Sequence, residues 1–218
     1  MLGSHNSFSY LKPVKWWMRL INFAGKCQSL DVYDQILLQD VKFFDVRLKW
    51  DNKSQEFYLA HGIIRYSWDI SPLMSFLDWL YTDELDDLIN IGGKKFKCSY
   101  SPIFRFVLEY NNPIEDRTII DKFKSLLDTL IFRYDGINIL GGYTKWDEQC
   151  IYTGIGDKDV TLNHGYSSVL GWKRYFLIPW VYAWYYNRAH DTYIKNLVNK
   201  NKEVILLDFV DLLDTDYN

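Results

Sequence analysis

The feature that most constrains this chain is a set of near-continuous apolar runs, each with an ionisable or polar residue inside it or at its end. VKFFDVRLKW (41–50), EFYLAHGII (56–64), IFRFVLEY (103–110), GINILGGY (136–143) and EVILLDFV (203–210) read as strands. A strand apolar on both faces belongs to a sheet covered on both sides, and parallel sheets are of that kind. Helical patterns lie between the runs. SPLMSFLDWLY opens with Ser71 as a predicted N-cap and Pro72 at the first helical position. EDRTIIDKFKSLLDTLIF (115–132) spaces Ile119, Ile120, Phe123, Leu126, Leu127, Leu130 and Ile131 for one helical face, with acids in its first turn. DTYIKNLVNK (191–200) reads as a short helix. This alternation predicts an α/β fold with a parallel sheet under helices, a compact or incomplete β/α barrel. The pattern alone does not choose between six and eight strands.

At 218 residues the chain is long enough for one ordinary domain, and neither its 5 prolines nor its 12 glycines cluster into a linker. A single domain over residues 1–218 is therefore expected. The formal charge of −3 argues against a general electrostatic grip on nucleic acid or anionic lipid. Three scattered cysteines, Cys27, Cys98 and Cys150, suit a reducing compartment better than a disulfide framework. With no visible leader the expected location is cytoplasmic, or secreted if the start has been trimmed. The longest apolar run, YFLIPWVYAWYY (175–186), is too short to cross a bilayer and contains Pro179.

In open parallel sheets and barrels, polar residues at the C-terminal ends of strands mark the working face. That rule selects Asp45 and Arg47 in FFDVR, His61 ending FYLAH, Glu109 ending FRFVLE and Asp208 ending VILLD. His5, in the Gly-Ser-His-Asn-Ser turn, follows a very short first strand over 1–3. Two histidines with an arginine and carboxylates form an acid–base kit for phosphoryl transfer. One neutral imidazole takes a proton from an attacking hydroxyl, and a second, protonated, gives one to the leaving oxygen. The arginine balances charge on the phosphate oxygens, and a carboxylate behind one histidine fixes its tautomer. His164 in LNHGY reads as a loop residue and His190 in RAHDT as a helix-start residue.

The stretches GSHNS, FFDVR and LAHG, in this order and spacing, resemble the catalytic X-region of phosphatidylinositol-specific phospholipases C, most closely the small bacterial-type enzymes. KPVKWW (12–17) resembles that family's short membrane-touching helix, CQSLDVYDQILLQDVKFFDVR its Gln-containing stretch, and NLVNKNKEVILLDFV its last helix and strand. The first 65 residues or so and the last 20 or so carry the likeness, while the middle shares only the strand–helix rhythm. The resemblance implies a distorted TIM-type β/α barrel and a phosphodiesterase that cleaves phosphatidylinositol, or a glycosylated relative, at a membrane surface. In that scheme the inositol 2-hydroxyl attacks its neighbouring phosphate, giving cyclic inositol phosphate and diacylglycerol. The implied roles are general base for His5, its orienting carboxylate for Asp208, phosphate holder for Arg47, general acid for His61 and supporting acid for Asp45. Asn6 and Glu109 would touch substrate, and Lys15, Trp16 and Trp17 the membrane.

Adjacent tryptophans diverge by about 100° on a helix, so Trp16 and Trp17 cannot both enter one core, and one of them is expected at the surface beside lysines. Asn6 stands where the bacterial enzymes commonly have Asp, as in the calcium-dependent eukaryotic branch. No cofactor or metal is expected. The calcium alternative would use Asn6, Asp45 and Glu109, with Arg47 where a further acidic ligand would stand. Basic residues on the middle strands find no match in this chain. Two rival readings are a metal-dependent glycerophosphodiester phosphodiesterase and a non-catalytic inositol-lipid-binding module.

Overall fold

The structure is a computed structural model that describes residues 1–81, 102–109, 117–139, 150–151, 161–164, 179–189, 192, 194 and 203–213. Its centre is a nine-stranded sheet. The strands are β1 (Leu2–Ser4), β2 (Phe43–Asp51), β3 (Glu56–His61), β4 (Ile64–Arg65), β5 (Ile103–Glu109), β6 (Asn138–Ile139), β7 (Cys150–Ile151), β8 (Thr161–His164) and β9 (Glu203–Leu207). Strands β8, β9, β1, β2, β5 and β6 run side by side in parallel. The sheet is nonetheless mixed, because β3, β4 and β7 are antiparallel additions. Among the described residues it does not close on itself.

Helices α1 (Trp16–Ile21), α2 (Val32–Gln39), α3 (Ser71–Tyr81), α4 (Arg117–Arg133) and α5 (Pro179–Ala189) complete the described elements, with two short 3-10 turns. Ser71 lies inside α3, and the Asp69 carboxylate accepts its backbone N–H at 2.7 Å; the helix thus begins earlier than the Ser-Pro signal predicts. Helix α5 starts on Pro179, whose missing N–H is harmless there. No helix of the described residues is long and apolar enough to cross a membrane. Of the run 136–143 only Asn138–Ile139 is a described strand, and most of 191–200 lies outside the described residues.

Period-two alternation divides the sheet into two unlike faces. Leu2, Phe44, Val46, Leu48, Phe104, Phe106, Leu108, Ile205 and Leu207 pack against Val32 and Ile36 of α2, Leu73, Phe76 and Leu77 of α3, and Phe123 and Leu127 of α4. On the other face Phe43, Val204 and Leu206 form a small apolar floor with Met1 and Ile103. Beyond that floor, toward the C-terminal ends of the parallel strands, this face carries Asp45, Arg47, Lys49, Arg105, Glu109 and Asp208, all buried. Gly3 lies on the floor because nothing larger fits. A Cβ there would stand 2.8 Å from Leu206 Cδ2 and 3.1 Å from Phe43 Cβ.

Candidate active site

One edge of β2 brings two distant histidines together. Its lower half pairs with β1, with Ser4 beside Phe44, and its upper half pairs with β3, with Leu48 beside Leu59. Strand β1 climbs this edge while β3 descends it. Continuing the β3 register places His61 beside Val46, just past the point where β1 stops. The descent ends there because Gly62, at φ 57°, turns the chain into β4 through His61↔Ile64 pairing. The run 56–64 is therefore a strand and a reversal rather than one strand. The His5 and His61 rings meet edge to face, with centroids 5.7 Å apart and planes at 88°.

The turn that carries His5 is buried despite its polar composition, because its groups are satisfied within the protein. His5 N–H continues the ladder to Leu207 O at 3.0 Å, and Ser7 N–H reaches Asp45 O at 2.9 Å. The Ser4 and Ser7 hydroxyls meet at 2.6 Å, and Asn6 N–H donates to Asp45 Oδ2 at 3.1 Å. Asn6 itself takes φ 44°, a conformation Asn tolerates better than most residues.

His5 Nδ1 lies 2.6 Å from Asp208 Oδ1, and its Nε2 lies 2.6 Å from Arg47 Nη2. A guanidinium only donates, so Nε2 presents its lone pair, and the ring proton sits on Nδ1 facing the carboxylate. This is the tautomer a general base needs. Arg47 also donates from Nε to Asp45 Oδ2 at 2.9 Å and from Nη1 to Glu109 Oε1 at 3.1 Å. Glu109 Oε2 in turn accepts Gly62 N–H at 2.7 Å, tying the His61 turn to the same guanidinium. Arg105 Nη1 stands 3.6 Å from Asp45 Oδ1. Burial opposes the charge on Asp45, yet Arg47, Arg105 and His5 outweigh it and hold the carboxyl far below the usual carboxylate range.

His61 donates through Nδ1 to Gly25 O at 2.8 Å, which leaves Nε2 for a ligand. Burial first, and the Arg47 charge second, push its pKa down to about 4. Cys27 lies beneath it, with Sγ 3.8 Å from His61 Nδ1. Burial and the Asp208 charge raise this thiol well above its ordinary value.

His5, Asp45, Arg47, His61, Glu109 and Asp208 thus surround one point at the C-terminal ends of the parallel strands. Asp45 Oδ2 and Glu109 Oε1, from two acids that the calcium alternative would turn toward an ion, each accept a hydrogen bond from the Arg47 guanidinium. Glu109 has both oxygens engaged, Oε1 by Arg47 and Oε2 by Gly62, and so bridges the guanidinium and the His61 turn. Asn6 is buried, and its Nδ2 has no hydrogen-bond partner among the described residues. At the surface, Trp16 and Trp17 are both exposed, 73% and 40%, beside exposed Lys15. Met18 enters the core in their place, so neither tryptophan is the buried one of the pair. His164 ends β8, in register with Leu206, rather than lying in a loop; His190 falls outside the described residues.

Two buried amides escape sequence reasoning. Gln28 Nε2 donates to His5 O at 3.0 Å and to Leu207 O at 2.8 Å, while its Oε1 accepts Val210 N–H at 3.3 Å. It therefore clamps the backbone that carries His5 to the backbone that carries Asp208. Asn187 of α5 supports the same corner through Asp208 O and Phe209 O, at 3.2 and 3.3 Å. Neither has a local signal. Arg105 did have one, an ionisable residue inside the apolar run IFRF, the pattern that singled out Asp45 and Arg47.

No protein-family model matches the chain, and a search of curated proteins finds none similar to it. Solved structures do match. The phosphatidylinositol-specific phospholipase C of Listeria monocytogenes aligns over 100% of this chain and 89% of its own, at 15% identity and TM-score 0.56. A histidine-to-tyrosine mutant of the Staphylococcus aureus phosphatidylinositol-specific phospholipase C aligns over 96% of this chain and 84% of its own, also at 15% identity and TM-score 0.56. A double mutant of the same S. aureus enzyme gives 14% identity and TM-score 0.55, over 100% of this chain and 91% of its own. The sheet and its helices are thus a version of the fold found in bacterial phosphatidylinositol-specific phospholipases C.

Proposed function

We propose that this chain is a single-domain phosphodiesterase that cleaves phosphatidylinositol, or a glycosylated relative, at a membrane surface, and that its sheet is part of a distorted β/α barrel. The observation that carries the reading is the pair of imidazoles that meet edge to face, one of them locked by Asp208 and Arg47 into the tautomer of a base. In the reaction the inositol 2-hydroxyl displaces Arg47 from His5 Nε2 and gives its proton to that nitrogen. Its oxygen forms a bond to the adjacent phosphorus as the bond to the glycerol oxygen breaks. His61 Nε2 supplies the proton that the leaving diacylglycerol oxygen takes up. Arg47, released toward the phosphate, offsets charge on the non-bridging oxygens, and Asp208 stabilises the imidazolium formed on His5. The attacking group is already next to the phosphorus, so little entropy is lost in bringing it there. No metal enters any step.

The interfacial part of the reading rests on Trp16, Trp17, Leu20, Phe23, Ile63 and Trp68, all exposed large apolar residues, with Lys12 and Lys15 exposed beside them. Ile63 follows His61 and Gly62 directly, which brings this apolar rim to the edge of the site. Rings with lysines next to them suit shallow insertion among lipid head groups. The glycerophosphodiester reading would need paired acids free to bind a metal, and here the paired acids hold an arginine.

The test is a cleavage assay on phosphatidylinositol vesicles with and without calcium, with phosphorus NMR of the product. Cyclic inositol phosphate is expected in both conditions, and His5→Ala should lower the rate by about 10³-fold or more while the fold persists. Unchanged activity in His5→Ala, or release of glycerol phosphate instead, would overturn the reading.

A further inference from the structure

Cys27 has no part in that mechanism, yet it lies against the groups that handle protons. Its Sγ is 3.8 Å from His61 Nδ1; Sγ, a ring nitrogen of His5 and a carboxylate oxygen of Asp208 fall within 4.8 Å of one another, with His5 Nδ1 and Asp208 Oδ1 in direct contact. All three of those residues are buried. A tetrahedral zinc ion holds sulfur at about 2.3 Å and nitrogen or oxygen at about 2.0–2.1 Å, so its ligand atoms stand about 3.3–3.6 Å apart. Reaching that geometry requires side-chain movements on the order of 1 Å, inward for the sulfur and outward for the His5–Asp208 contact. A thiolate, an imidazole and a carboxylate form a set that suits a thiophilic ion and not a hard one such as calcium.

We propose that His5 Nδ1, Cys27 Sγ and Asp208 Oδ1 form an inhibitory three-ligand site for a thiophilic divalent cation, zinc above all. The word inhibitory rests on the phosphodiesterase reading, whereas the binding does not. Binding replaces the thiol proton, which leaves to solvent, with a sulfur–metal bond. His5, now metallated at Nδ1, keeps its one ring proton on Nε2. That nitrogen then has no lone pair for a hydroxyl and loses its hydrogen bond from Arg47. Asp208 is withdrawn from the imidazole it orients. One cation thereby silences the base and its carboxylate. An electrophile or oxidant meets instead a buried, protonated thiol, which is poorly nucleophilic, while a metal ion can displace the proton.

The experiment uses the full chain, with Co²⁺ as a spectroscopic probe and Zn²⁺ as the inhibitor. Expected are one equivalent of Co²⁺ bound with tetrahedral d–d bands and a thiolate-to-metal charge-transfer band, and loss of phosphatidylinositol cleavage at one equivalent of Zn²⁺. Cys27→Ser should cleave normally without metal, lose the charge-transfer band and need at least ~100-fold more zinc for inhibition. The Cys98→Ser/Cys150→Ser double variant should behave as the parent. If Cys27→Ser fails to fold, cadmium-113 NMR of that double variant decides, because Cys27 is then the only thiolate available. No charge-transfer band in the parent, a band that survives in Cys27→Ser, or unaltered zinc inhibition of Cys27→Ser would each overturn the site. A chain that binds cobalt through Cys27 but cleaves no phosphatidylinositol supports the cation site and overturns the catalytic reading.

Discussion

Residues 44, 46 and 48 of β2 and residues 45, 47 and 49 of the same strand are almost equally buried, and different physics holds them in place. Phe44 stacks on Phe104 at 5.6 Å and meets Phe76 at 5.3 Å, contacts that depend on shape and volume. One residue along, Asp45 accepts from Arg47 and from the Asn6 backbone, and Arg47 reaches Glu109 and His5 as well. A vacancy on the first face leaves a cavity that neighbours can partly refill. A vacancy on the second leaves buried charges short of the hydrogen-bonded partner that answered them, which repacking of apolar neighbours does not repair. Degree of burial therefore does not tell the two faces apart; what each buried group is bonded to does.

The widest separation between the faces should come from Arg47→Met set beside Phe44→Ala. Each is expected to lower stability by about 3–5 kcal/mol, the first by taking the guanidinium from the buried carboxylates of Asp45 and Glu109 and the second by cavity formation. Only Arg47→Met should also lower the turnover of the folded fraction, by roughly 10²–10³-fold. Denaturant titrations together with kcat on vesicles check this. A Phe44→Ala variant whose folded fraction turns over as slowly as Arg47→Met would dissolve the distinction.

A smaller effect should come from Gln28→Leu, which touches neither the substrate nor a charged group. It removes the amide N–H that His5 O and Leu207 O share and the oxygen that accepts Val210 N–H, at a cost of about 1–3 kcal/mol. Because the clamp sets how His5 faces Asp208, kcat should fall about 10-fold with KM unchanged. The pH dependence of kcat should shift as well. A stability loss with an unaltered kcat profile would make Gln28 part of the packing alone.

The same contrast explains what could be read from the sequence. Asp45, Arg47, Glu109 and Asp208 stood out because an ionisable residue inside an apolar run is costly to bury unless something answers it, and that cost is visible locally. Helix α4 was legible from 3.6-residue spacing, α3 from its Ser-Pro start, and most strands from their runs. Strand pairing was not, since a run apolar on both faces carries no period that fixes its neighbours or their direction. The antiparallel descent of β3 depends on Gly62, whose positive φ turns what looked like one strand into a reversal. Strand β8 was hidden because TLNH is short and polar. Gln28 and Asn187 act through backbone carbonyls of residues far away in the chain, and Trp16 and Trp17 were both left outside by the choice of Met18 for the core, a tertiary decision.

The finest test of the charged face uses its two displaced titrations, which weaken the fold in different acid windows. His61 is held down to about 4 against an ordinary value of about 6.5. The unfolded chain therefore binds its proton first, and stability falls as pH drops from about 6.5 to about 4. Asp45 is also depressed, so its contribution is complete above the ordinary carboxylate value of about 3.9 and is lost only as pH falls further. His61→Gln should thus flatten the urea midpoint between pH 6.5 and 4 relative to the parent while leaving the loss below about 4 in place. An unchanged slope in the upper window would mean that His61 is not buried against a positive charge. The same depression implies that the free protein holds His61 neutral near pH 7, so the acid must gain its proton together with the substrate. A phosphodiester anion beside Arg47 opposes the terms that keep the ring neutral. Inositol 1-phosphate, added while the His61 ring resonance is followed by NMR, should move its midpoint upward from about 4. A midpoint that stays put with the ligand bound would leave the leaving oxygen without this proton donor.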